Sequence, residues 1–134
     1  MPVDYEFLYS FSEQLLRFEK SIRWIGIVNK YGVLLNVEYR NNLTPFMTEE
    51  ENEEYAANAV KRYKTRLKFQ TKIGTLNYAF GRYEKISRVT IPINQDYYLL
   101  LTLDADEKNY DDLIMNKINP FINKYKEKFI LEEE

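Results

Sequence analysis

Four lysines, Lys61, Lys64, Lys68 and Lys72, recur at helical spacing and share one face, with Arg62, Arg66 and Phe69 on its flank. Cations interleaved with an aromatic ring can hold a phosphate, an RNA strand or an acidic partner. The plainer reading is a solvated helix end whose positive charge complements the macrodipole. Glu49, Glu50, Glu51, Glu53 and Glu54 lie upstream on the same segment and cancel much of the field, which favours that reading. Phe69 beside Arg66 is the exception, because an exposed ring next to a guanidinium makes an interface anchor.

Other candidate chemistry is sparse. Asp104, Asp106, Asp111 and Asp112 cluster as calcium ligands would, but they lack the glycine and distal glutamate of an EF-hand loop. Aspartates at a helix start ordinarily serve as caps. There is no histidine and no cysteine. That removes the commonest general base, the usual zinc ligands and any disulfide. Ser10, Ser12, Ser21 and Ser87 therefore have no imidazole to activate them, and a Ser87–Lys85 pair has no supporting motif. The glycines are isolated and form no phosphate-binding loop. The inventory yields no catalytic residue, no cofactor site and no metal site, and points away from an enzyme.

Composition bounds the rest. The chain has 134 residues, 45% of them hydrophobic and 30% charged, with a net charge of −2. That size and balance suit one domain, here taken as residues 1–134, with a packed core. The charge gives no bulk attraction for nucleic acid. The opening MPVDYEF has neither a basic start nor a long apolar stretch, so no signal peptide is expected. The longest apolar run, Tyr97–Leu101, is too short to span a bilayer. A cytoplasmic protein is the expectation. The aromatic content is high, with 12 Tyr, eight Phe and one Trp.

These residues must be positioned by alternating helices and strands. Phe7, Leu8, Phe11, Leu15 and Phe18 predict an amphipathic helix over Asp4–Glu19, with Asp4 as its cap. Trp24–Val28 and Val33–Tyr39 read as a hairpin about the turn Asn29-Lys30-Tyr31-Gly32. Thr48-Glu49-Glu50-Glu51 is a capping box that opens a helix running to Lys72, with Gly74 as its stop. Tyr55, Ala56, Ala59, Val60, Tyr63 and Leu67 form the apolar face of that helix. Strands follow at Leu76–Tyr83, Ile86–Ile93 and Tyr97–Leu103. The last is apolar at nearly every position, which predicts a central strand covered on both faces. Pro92 belongs at a strand end or bulge. A final helix starts near Asn109 and either kinks at Pro120 or divides there, with Pro120 on the solvent side. The acidic end, Glu132-Glu133-Glu134, is expected to fray.

The run Gly26-Ile27-Val28-Asn29-Lys30-Tyr31-Gly32-Val33-Leu34 resembles the first hairpin of the roadblock/dynein-light-chain superfamily, within the profilin-like folds. Val89–Asp104 is similar to that family's last two strands, and the element order agrees over nearly the whole chain. The chain also resembles a family of archaeal proteins with the same order and no assigned activity. The resemblance implies an α+β fold of order α-β-β-α-β-β-β-α. Its sheet is five-stranded and mainly antiparallel, with Tyr97–Leu103 at its centre. The first and last helices lie on one face and the Thr48–Lys72 helix on the other. It also implies a non-enzymatic regulatory or scaffold module, a homodimer paired through the middle helix and the Leu76–Tyr83 edge, and a small GTPase among its partners. Tyr63, Arg66, Phe69, Tyr78 and Phe80 are the expected interface. The alternative is a profilin- or PAS-like sensory domain that takes a small ligand between sheet and helix, lined by Trp24, Tyr78, Phe80 and Tyr98.

Overall fold

The computed structural model describes residues 3–130. The acidic end Glu132–Glu134 lies outside them. Helix α1 spans Tyr5–Leu16, shorter than the sequence pattern, and the Phe7 N–H donates to the Asp4 carboxylate at 3.0 Å. Strands β1 (Ile22–Asn29) and β2 (Leu34–Tyr39) pair antiparallel. The Asn29 side-chain oxygen accepts the N–H groups of Tyr31 and Val33 at 3.0 and 3.1 Å, which closes the turn. Gly32 has φ +83°, and a Cβ there would come within 3.1 Å of the Ala57 backbone. The turn thus needs glycine for conformation and for its contact with the next helix.

Helix α2 spans Glu49–Arg66. Its capping box is reciprocal: Glu51 N–H donates to Thr48 Oγ1 at 3.1 Å, and Thr48 N–H donates to Glu51 Oε1 at 2.9 Å. The predicted helix to Lys72 is interrupted by a 3₁₀ turn at Leu67–Phe69, then resumes as α3, Gln70–Ile73, and stops at Gly74. Neither segment has a fully buried residue, and only Leu67 is partly buried against the α2 core, so little packing holds this stretch in one regular helix.

Strand β3 is Ala79–Arg82, half the predicted length. The reason lies at Leu76, whose N–H donates to Gln70 Oε1 at 2.9 Å and whose carbonyl accepts the Tyr63 hydroxyl at 2.8 Å. Side chains take the backbone groups that a ladder would need. Strands β4 (Ile86–Pro92) and β5 (Tyr97–Asp104) complete the sheet. Its order is β2-β1-β5-β4-β3, and every neighbouring pair is antiparallel. Pro92 ends β4, and β3 pairs only as far as Thr90, so its missing N–H leaves no ladder bond broken.

β5 is central and buried at every position but the last. One core joins its Leu99, Leu101 and Leu103 to α1 and the C-terminal helical run. The other joins Tyr98 and Leu100 to Trp24 of β1 and to Ala56, Ala59, Val60 and Tyr63 of α2. The C-terminal run comprises α4 (Tyr110–Asp112), a π-helical segment at Leu113–Ile118 and α5 (Asn119–Tyr125). The Asn119 N–H reaches back to the Ile114 carbonyl. That wider turn lets Pro120 follow without the backbone clash a regular α-turn would impose. Pro120 is exposed, as its helical position predicted. The run packs on α1 through Phe7, Phe11, Phe121, Tyr125 and Phe129, whose rings meet at 4.9–6.2 Å.

Candidate interaction surface

The expected interface residues do not share one surface. Tyr63 is 1% exposed and belongs to the α2 core, edge-on to Tyr98 at 5.2 Å. Burial pushes its hydroxyl far above the ordinary range. Arg66 and Phe69 are exposed on the α2 side of the sheet, with the still more exposed Ile73 nearby in sequence. Tyr78 and Phe80 pack against the opposite core. Phe80 stacks on Tyr110 at 4.0 Å, and the Tyr78 hydroxyl donates to Asp111 at 2.5 Å. Burial, followed by that carboxylate, raises the Tyr78 hydroxyl to about 12. The period of two explains the split. Ala79 packs with the α2 core instead, so the face of β3 under α2 carries small residues.

Those small residues leave an opening. A cleft of about 120 Å³ lies between α2 and the β3–β4 half of the sheet, walled by Tyr55, Arg62, Arg66 and Arg88 and floored in part by Ala79 and Gly81. The Arg88 guanidinium lies 3.8 Å from the Tyr55 ring centre, and Arg62 lies 5.7 Å from the same ring. Among the described residues no carboxylate lines the cleft. Among the described residues the ion pairs are Arg23–Asp104, Arg40–Asp104, Lys30–Asp96 and Lys117–Glu19, so Arg62, Arg66 and Arg88 have no acidic partner. A sequence reading did not single out Arg88, whose charge inside a strand that is otherwise mostly buried is a signal that points to this cleft.

The other sequence candidates are dispersed. Asp104 accepts from Arg23 at 3.0 Å and Arg40 at 2.8 Å. Partial burial alone would raise its pKa, but the two guanidinium hydrogen bonds outweigh that and lower it. Asp111 is held by Tyr78, and Asp112 accepts from Asn116 at 2.6 Å. Ser87 is buried, whereas the Lys85 ammonium sits 5.7 Å from the Phe46 ring. Of the lysine stripe, Lys64 donates to the Lys30 carbonyl at 2.6 Å, which ties α2 to the hairpin turn. Among the described residues no helix is long and apolar enough to cross a membrane.

An antiparallel sheet of this order, with paired helices on one face and a single long helix on the other, is the roadblock class of α+β fold. The chain is similar to Myxococcus xanthus MglB, with TM-score 0.73 and 12% identity over 95% of this chain and 98% of that one. It is similar to a Roadblock/LC7 domain from Streptomyces avermitilis, with TM-score 0.69 and 7% identity over 89% and 94%. It is also similar to MglB in a tetrameric arrangement, with TM-score 0.71 and 13% identity over 96% and 88%. No protein-family model and no curated protein sequence matches the chain. At these identities the likeness is one of fold.

Proposed function

We propose that this chain is a non-enzymatic regulatory or scaffold module that acts by binding proteins, itself included. The observation that carries the proposal is the open flank of the sheet: among the described residues, an unpaired β3 edge beside a cleft whose arginines lack carboxylates. Charge along α2 indicates how a second copy fits. Glu49, Glu50 and Glu51 open the helix, and Lys64 and Arg66 close it. Two copies of α2 laid antiparallel about a two-fold axis put each acidic half against the other's basic half. Arg66 and Phe69 sit where that contact forms, while Tyr78 and Phe80 brace β3 from behind. The tetrameric arrangement of a fold relative supports self-association as a use of this fold. A small GTPase as a further partner rests on the family resemblance.

Light scattering at micromolar concentration tests the dimer. The wild type is expected at twice the monomer mass. Arg62→Glu/Arg66→Glu raises the dissociation constant at least tenfold by placing acid against acid. A wild type that remains monomeric overturns the proposed homodimer.

A further inference from the structure

A second opening lies farther along the same face, under the loop that leads into α2. Its floor is one cross-strand row. Tyr39, Trp24, Thr102 and Arg88 stand in register on β2, β1, β5 and β4. A bulge beside Trp24, where Arg23 is the extra residue, offsets the parity of β1, so that Ile22 joins one core and Trp24 the other. Bulges that re-aim side chains recur beside binding sites. The cavity over this row measures about 30 Å³, room for about two waters or one carboxylate group. Phe46 in its roof is held by Arg23 at 4.8 Å and Lys85 at 5.7 Å.

The lining supplies donors and little to receive them. Trp24 is 5% exposed, and its indole N–H is the one buried side-chain polar group without a hydrogen bond among the described residues. Leaving such a donor unpaired costs about 1–3 kcal/mol, so a sequence that retains it has a use for it. Among the described residues Arg88 has no acidic partner, and the Tyr39 hydroxyl accepts from Asn52 at 3.0 Å, which leaves its own proton to donate. Among the described residues neither Asp nor Glu lines the cavity. Phe46, Met47, Ile86 and Arg88 also border a shallow depression of about 550 Å³, which Tyr83, Glu84 and Lys85 complete.

We propose that this cavity binds a carboxylate carried on an apolar body. The carboxylate accepts from the Trp24 indole and the Arg88 guanidinium, and the apolar body lies against Phe46 and Tyr83. Two sources offer that chemistry: a free organic acid, and a Glu or Asp side chain of a partner. Tyr55 and Arg88 also border the cleft beside α2, whereas Trp24, Tyr39 and Phe46 do not, and carboxylate binding here does not require the proposed dimer.

The chain has one tryptophan, and it lies in this site, so its fluorescence reports occupancy directly. Acetate, benzoate, inorganic phosphate and a capped Phe-Glu peptide with its Phe-Gln control are titrated at constant ionic strength, with melting temperature as a second readout. Saturable emission changes with benzoate or the Phe-Glu peptide are expected, at least tenfold tighter than with acetate, and none with phosphate or Phe-Gln. Benzoate alone identifies a free acid as the source, and Phe-Glu alone a partner side chain. Arg88→Gln weakens binding at least tenfold. Tyr39→Phe, which keeps the ring and removes the hydroxyl donor, weakens it severalfold and serves if Arg88→Gln does not fold. No saturable response to any carboxylate, an equal response to phosphate, or an unchanged affinity in both variants overturns the proposal.

Discussion

At the residue scale, one contact governs the α2 face. A Cβ added at Gly26 would stand 2.4 Å from Trp24 Cη2. The indole lies over that glycine, and the position needs absence of a side chain, not backbone freedom. Gly26→Ala is expected to destabilise by about 1–3 kcal/mol in urea denaturation. Most of that cost disappears in a Trp24→Phe background, because the smaller ring vacates the space. Asp104 contributes to the acid limb of stability. Its pKa is lowered in the folded state, so its contribution is complete above the unfolded carboxyl value of about 4 and is lost as pH falls below that. Asp104→Asn flattens the stability–pH curve in that window, measured as melting temperature between about pH 2 and 5.

At the element scale, the sequence was legible where neighbours along the chain decide the outcome. The Asp4 cap, the Asn29–Gly32 turn and the Thr48–Glu51 box all rest on contacts within four residues. It was illegible where distant groups decide. The start of β3 depends on Tyr63 and Gln70 capturing the backbone of Leu76. The π-helical turn before Pro120 keeps Leu113, Ile114 and Ile118 all buried, a burial that the local sequence does not display. Tyr63→Phe tests the first of these. It strands the Leu76 carbonyl and is expected to cost about 1–2 kcal/mol by denaturant titration. Faster hydrogen exchange at Leu76–Tyr78 should accompany that loss.

At the scale of the whole molecule, strand pairing makes sites that no stretch of sequence displays. Arg88, Thr102, Trp24 and Tyr39 span some 78 positions of chain and meet in one row. The same pairing separates Tyr78 and Phe80 from Arg66 and Phe69, which the sequence alone had grouped. Net charge is equally uninformative here, because −2 overall conceals a helix that is acidic at one end and basic at the other. The proposed dimer should inherit that polarity and weaken as sodium chloride rises from 50 to 500 mM, since screening acts on exposed charges. Light scattering across that range is the measurement.

The place of β5 also bears on how the chain is made. It is the central strand, yet the last of the strands to leave the ribosome. Until residue 104 emerges, β1–β2 and β3–β4 are two hairpins with nothing to join them, and α2 has only part of its floor. Phe129, which closes the ring cluster on α1, arrives later still. Folding of this domain to completion therefore waits until Phe129 has emerged, and a nascent chain stopped before Tyr97 has both faces of its future core open to chaperones and to its own neighbours.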